Sequence, residues 1–129
     1  MKGTKITDSG MVFDHSCDYR QDIERCMSLI GHYFSDDEIK GKIIMDAGCG
    51  TGHYSYVFNI KGCHKVVGVD LSYKCLESAK SRFKDYDIIE FHFSDIRDLS
   101  IFRDSEFDIV FCEGVIIYLN NRGMKDALS

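Results

Sequence analysis

The sequence predicts an α/β fold, a three-layer sandwich with helices packed about a mostly or wholly parallel sheet, and three observations carry that reading. An apolar run, Ile43-Ile44-Met45, passes through Asp46 into three alternate glycines, Gly48, Gly50 and Gly52. Two further runs, Val66-Val67-Gly68-Val69 and Phe107-Asp108-Ile109-Val110-Phe111, end at Asp70 and at Cys112-Glu113. Helical periodicities fill the intervals, and strands spaced by helices in this way build βαβ units.

In chain order, residues Met1 to Ser16 mix Gly, Thr, Asp and charged side chains with scattered apolar ones, and they read as a lead-in placed to fold over a ligand. Residues 1–17 form this segment and 18–129 the core of a single domain. Asp18 and Gln21 fit a capping box. Behind them Ile23, Met27, Ile30 and Phe34, widened by Cys26 and Tyr33, recur at helical spacing, so an amphipathic helix is expected over 19–34. Ser35 to Gly41 breaks it. The first strand and glycine turn follow, then a short helix from Tyr54 to Ile60 closed by Lys61 and Gly62.

Val66 to Val69 is the second strand, and Ser72 can cap a helix over Tyr73 to Phe83 whose inner face is Leu76, Ala79 and Phe83. Ile88 to Phe93 alternates as a strand near a sheet edge would, with Ser94-Asp95-Ile96 directly after it. Phe107 to Cys112 is more uniformly apolar, hence more central. Val115 to Leu119 continues apolar, and Asn120 or Asn121 can cap a final helix. With right-handed crossovers the carboxyl ends of all four strands share one edge, the usual ligand edge of open α/β sheets. That edge gathers Asp46 with the glycine turn, Asp70, Asp95 and Cys112-Glu113.

The glycine spacing separates candidate sites. A phosphate-binding P-loop needs a lysine after its last glycine, and none stands there. A dinucleotide fingerprint, G-x-G-x-x-G, would need glycine where this chain has His53. Turn amides at a helix start favour anions, whereas Asp46 immediately before the turn would repel a phosphate. The D-x-G-x-G-x-G pattern followed by a strand ending in Asp70 resembles the cofactor-binding half of class I S-adenosylmethionine-dependent methyltransferases, whose fold is Rossmann-like and seven-stranded.

That resemblance runs from about Asp18 onward and implies a set of roles. Gly48, Gly50 and Gly52 would pass beneath the methionine part of S-adenosylmethionine, and Asp46 would hold the turn or the amino group. Asp70 would accept from the ribose hydroxyls and Leu71 would lie against the adenine. Asp95 would accept from the adenine amino group, with Ile96 supplying a backbone N–H and apolar contact. Glu113, or the backbone at Cys112, would stand beside the methionine moiety. Tyr19, with Phe13 in reserve, is the candidate aromatic lid, and S-adenosylhomocysteine would be the product.

The methyl acceptor is expected to be a small molecule. No Asn/Asp-Pro-Pro-Tyr segment follows the fourth strand, where amino-methylating relatives that act on adenine or cytosine carry one, and Glu113-Gly114-Val115-Ile116 stands there instead. His53, His92 and Glu113 are possible bases, although His92 inside a strand suits packing and His53 at a helix start suits a neutral ring. A non-catalytic S-adenosylmethionine-binding or assembly module is the alternative, and a nicotinamide-dependent oxidoreductase a weaker one.

Composition narrows the partners. In 129 residues, 21 acidic against 16 basic side chains leave a formal charge of −5 without a long run of either sign, so nucleic acid is not favoured as a surface partner. No apolar stretch approaches 18 residues, so no membrane span is expected. Six cysteines form no C-x-x-C pair, and with no secretory signal the expected location is the cytoplasm, with the bound metal set empty.

Family members continue through three more strands, so a fragment, or a reduced member completed by another chain, is expected. In the family's strand order, three-two-one-four for these strands, the Phe107–Cys112 strand becomes an apolar edge. A homodimer or a completing chain is therefore expected to pair there, through residues 107–119.

Overall fold

The computed structural model describes residues 4–7, 10–13, 19–95, 106–112 and 115–118, with side chains described over 22–95 and 106–112. Strands β1 (Thr4–Thr7) and β2 (Gly10–Phe13) form an antiparallel pair of their own. Then come α1 (Tyr19–Tyr33), α2 (Asp36–Ile39), β3 (Ile43–Ala47), α3 (His53–Ile60), β4 (Lys65–Asp70), α4 (Tyr73–Arg82), β5 (Ile89–Phe93), β6 (Ile109–Cys112) and β7 (Val115–Tyr118). The main sheet has the order β5-β4-β3-β6-β7, in which β5, β4, β3 and β6 are parallel and β7 runs antiparallel to β6.

Register explains which residues face the helices. Ile89, Val66, Ile44 and Ile109 stand side by side in one row across the sheet, and Phe91, Gly68, Asp46 and Phe111 in the next. Because successive strand residues alternate faces, both rows lie on one side. The apolar members of those rows cluster with Cys26 and Ile30 at the inner face of α1 and Phe34 directly after it, with Val57 and Phe58 of α3, and with Leu76 and Ala79 of α4. The rings of Phe34 and Phe58 meet edge to face at 6.1 Å and those of Phe58 and Phe111 at 5.4 Å, so α1, α3 and β6 share one aromatic seam. On the other side Met45, Ala47, Val67, Val69 and Val110 form a second buried cluster with Phe107. A sheet buried on both faces accounts for the near-continuous apolar runs in β3, β4 and β6.

Helix starts follow their side chains. The Ser72 hydroxyl accepts from the Cys75 amide to cap α4. The segment expected only to break the first helix instead holds α2, because Ser35 and Glu38 form a reciprocal capping box that satisfies two end amides. The lead-in holds the β1–β2 pair, which the sequence reading did not assign.

The largest correction concerns the sheet edge. β6 is not an edge strand, since it lies between β3 and β7 with Cys112 paired to Val115 and Ile109 to Tyr118. The apolar run that follows β6 pairs with it as β7, so the open edge expected at the 107–112 strand is corrected, and β7, within the same 107–119 stretch, ends the described sheet. The helix expected after Asn120 or Asn121 lies outside the described residues.

Candidate functional site

Parallel register brings the strand ends together. Ala47 is level with Val69 and with Cys112, and Asp70 with Phe93. The Ser94 amide then donates to the Asp70 carbonyl at 3.1 Å, which draws Ser94-Asp95 alongside β4. Ile96 and Glu113 lie outside the described residues. Tyr19 opens α1, with its side chain outside the description.

The turn after β3 needs its glycines for two different reasons. Gly48, Gly50 and Gly52 have φ of 74°, 54° and 89°, a region in which other residues are strained. At Gly48 and Gly50 the place where a Cβ would stand has no atom within 4 Å, whereas at Gly52 it would meet Phe91 Cζ at 2.7 Å and Phe83 Cε2 at 3.1 Å. Gly48 and Gly50 therefore border open space that a ligand can occupy. Gly52, expected beside the methionine part, faces packed aromatic rings, so its missing side chain serves packing.

Four of the turn's amides are committed to the protein. The Gly48 and Cys49 amides both donate to the Val69 carbonyl, at 2.8 and 2.9 Å, the Gly50 amide to Asp70 Oδ2 at 2.8 Å, and the Gly52 amide to the Cys49 carbonyl at 3.0 Å. These four amides are not offered to an anion, in keeping with Asp46 standing directly before the turn. Asp70 also accepts from the Ser72 amide through Oδ1 at 2.9 Å, so one carboxylate ties the glycine turn to the start of α4. A carboxylate has about four acceptor directions, and these two bonds leave others for a ligand. Leu71, directly after it, is 56% exposed.

Asp46 is 2% exposed and accepts from the Ser55 hydroxyl at 2.7 Å. Ser55 belongs to the first turn of α3, where the helix dipole favours a carboxylate, so the pair fastens that helix to the end of β3. Cys49 lies buried in the turn, its thiol pushed far up by burial and then by the Asp46 and Asp70 carboxylates. That removes it as a nucleophile.

His53 is 3% exposed and lies 2.9 Å from Thr51 Oγ1 through Nδ1, enclosed by the protein. His92 is exposed on β5, 3.7 Å from Glu90. Sequence reasoning missed Ser55 and the Thr51–His53 contact, because no spacing rule marks a hydroxyl that acts across a fold. The Ser72 to Asp70 bond had a readable signal, since an acid two residues before a helix cap suits such a turn. Among the described residues, no helix is long and apolar enough to cross a membrane, and no group of three or more His, Cys, Asp or Glu is arranged to hold a metal.

Residues 44–129 match the family described as a methyltransferase domain. This chain belongs to that methyltransferase family. Among curated relatives, an uncharacterized protein of Haemophilus influenzae is 33% identical over 87 residues, covering 64% of this chain and 34% of that one. A ubiquinone biosynthesis O-methyltransferase of Aromatoleum aromaticum is 35% identical over 75 residues, covering 57% of this chain and 32% of its own length. The crystal structure of an S-adenosylmethionine-dependent methyltransferase from Mesorhizobium loti superposes with a TM-score of 0.57 at 27% identity, over 66% of this chain and 37% of that one. The chain spans about a third of the length of these curated relatives. The family's fold is the Rossmann-like methyltransferase fold, and its cofactor is S-adenosylmethionine.

Proposed function

We propose that this chain carries the cofactor site of a methyltransferase that moves a methyl group from S-adenosylmethionine to a small-molecule acceptor. The observation that carries the reading is the turn itself: four amides spent on protein acceptors, two glycines bordering open space, and carboxylates at Asp46 and Asp70. A dinucleotide pyrophosphate would need those amides and would be repelled by those carboxylates. A cationic sulfonium with an amino group and a ribose diol suits them.

Bound S-adenosylmethionine supplies a methyl group activated by the positive sulfur. Within the chain, Gly48 and Gly50 admit the methionine portion close to backbone, and Asp70 keeps acceptor capacity for the ribose hydroxyls. Leu71 offers exposed apolar surface to the adenine, Asp95 an acceptor to its amino group, and Ile96, Cys112, Glu113 and Tyr19 complete the proposed wall. Orientation and exclusion of water provide much of the catalysis of such a transfer. The O-methyltransferase named for ubiquinone biosynthesis supports a small acceptor. Among the described residues, the thiols of Cys26, Cys49, Cys63 and Cys75 form no disulfide, which supports a reducing, cytoplasmic setting.

Isothermal calorimetry with S-adenosylhomocysteine tests the assignment, with saturable one-to-one binding expected and no comparable heat from NADH. A folded chain that takes up NADH and ignores S-adenosylhomocysteine would reverse it.

A further inference from the structure

Beneath the turn lies a buried polar group that the cofactor reading leaves unused. Asp22 of α1, Thr51 of the turn and His53 of α3 are 2%, 4% and 3% exposed. The His53 ring has Thr51 Oγ1 at 2.9 Å from Nδ1, a guanidinium nitrogen of Arg82 in α4 at 3.4 Å from Nε2, and Asp22 Oδ2 at 4.0 Å from the same nitrogen. Asp22 Oδ1 is paired with Arg25. One ring of α3 therefore stands against two other helices and the glycine turn.

Chemistry assigns the proton. Arginine has donors and no acceptor, so Nε2 can face Arg82 favourably only as a bare, accepting nitrogen. The proton then sits on Nδ1 and is donated to Thr51 Oγ1. A neutral ring also suits the first residue of α3, where the helix dipole disfavours positive charge. Thr51 stands between Gly50, whose amide Asp70 holds, and Gly52, whose Cβ position is filled by Phe91.

We propose that His53 is a positioning residue for the glycine turn, held as its neutral Nδ1–H tautomer, and that protonating it loosens the grip on the cofactor. The inference rests on the cofactor reading above. A proton added at Nε2 would set an N–H against the Arg82 donors and draw the ring toward Asp22, carrying the Thr51 bond with it. Among the described residues, the charged groups near the ring include Asp22 and Arg25 from α1 and Arg82 from α4, with Asp46 of β3 held across α3 by Ser55 and the Cys26 thiol beside Asp22 and Asp46.

Long-range nitrogen–proton spectra of the histidine-labelled, ligand-free chain at pH 7.5 should show His53 protonated at Nδ1 and bare at Nε2. Calorimetric titration with S-adenosylhomocysteine between pH 7.5 and 5.5 should show affinity falling about threefold to tenfold, the span expected for loss of the one hydrogen bond from Arg82 to Nε2. His53→Gln can still donate to Thr51 but cannot titrate, so its affinity should stay within about threefold of the wild type at pH 7.5 and be flat with pH. Arg82→Gln, at an exposed position, should move the acid limb to higher pH by removing a neighbouring positive charge, and it serves if the first variant does not fold. An Nε2–H tautomer, or an unchanged acid limb in either folded variant, overturns the proposal. Wild-type protein with the stated tautomer and no S-adenosylhomocysteine binding at any pH would instead refute the cofactor reading, and the pH claim would fall with it.

Discussion

Gly68→Ala separates crowding from backbone freedom. Gly68 lies mid-strand in β4 and is not among the glycines with positive φ, so an alanine there meets no conformational penalty. By itself the exchange would favour folding by about 0.4–1 kcal/mol, through the reduced freedom of the unfolded chain. Its Cβ, however, would stand 2.8 Å from Phe91 Cδ1, 2.9 Å from Cys49 Sγ and 3.0 Å from Cys49 Cβ. Phe91 is buried in the α4 layer and Cys49 is part of the turn, so neither is the free end of a flexible side chain. Overpacking of this kind costs about 1–3 kcal/mol, which reverses the sign of the intrinsic gain. In urea the midpoint should fall with little change in slope, and the net loss should be about 0–2.5 kcal/mol once the two contributions are combined. Because Cys49 must move, S-adenosylhomocysteine affinity should also drop. A Gly68→Ala protein more stable than the wild type would refute the crowding argument.

Asp70→Ala should weaken S-adenosylhomocysteine by about ten- to a hundredfold, the worth of a hydrogen bond or two to a charged acceptor. Since Asp70 also holds the Gly50 and Ser72 amides, the melting temperature should fall as well, and an unaltered melt would show those two bonds to be idle. In native protein at pH 8, iodoacetamide should spare Cys63, pushed up to about 11 by burial, and Cys26, pushed up to about 12, while modifying Cys75. Mass spectrometry of the labelled peptides decides, and early labelling of Cys26 would contradict the burial.

Glu90 is held below the usual carboxylate range by its hydrogen bond from Lys65, at 2.5 Å. Its contribution is present above the unfolded glutamate pKa of about 4.3 and is lost as pH falls through the lower folded value. Lys65, raised by the same bond, contributes below the unfolded lysine value of about 10.4 and loses that as pH rises further. Both side chains are more than a third exposed, so Glu90→Gln should cost at most about 0.2–1 kcal/mol near neutrality. The difference between variant and wild type should vanish by pH 3, which denaturant titrations at the two pH values can check.

The α/β alternation was legible because each buried strand is an uninterrupted apolar run and each helix carries its own periodic stripe. Bounds came within one or two residues for α1, α3, α4, β3 and β4. Ser35-Asp36-Asp37-Glu38 carries a complete capping-box signature, so α2 was readable and passed over. The antiparallel return of Val115–Tyr118 was harder. Two apolar runs separated by Glu113-Gly114 fit a hairpin as well as a strand followed by a loop, and the family's strand order favoured the second. In the site, glycine spacing located the turn but could not divide its labour, since Gly50 and Gly52 look alike until Phe91, 39 positions beyond the latter, is packed against one of them. Burial of Asp22 and its proximity to His53 depend on α1 docking beside α3, a contact between residues 31 apart in sequence.

The double hold of the Val69 carbonyl on the Gly48 and Cys49 amides bears on the heat and speed of ligand capture. A loop that must be ordered by its ligand spends interaction energy on lost freedom and shows a large negative heat-capacity change. Here the loop is already stitched to the neighbouring strand. Association should then proceed without a slow conformational step, so stopped-flow traces should remain single-exponential with rates linear in ligand concentration. The heat-capacity change should match the apolar area covered by the ligand alone. A rate that saturates at high ligand concentration would mean that the turn opens before it binds.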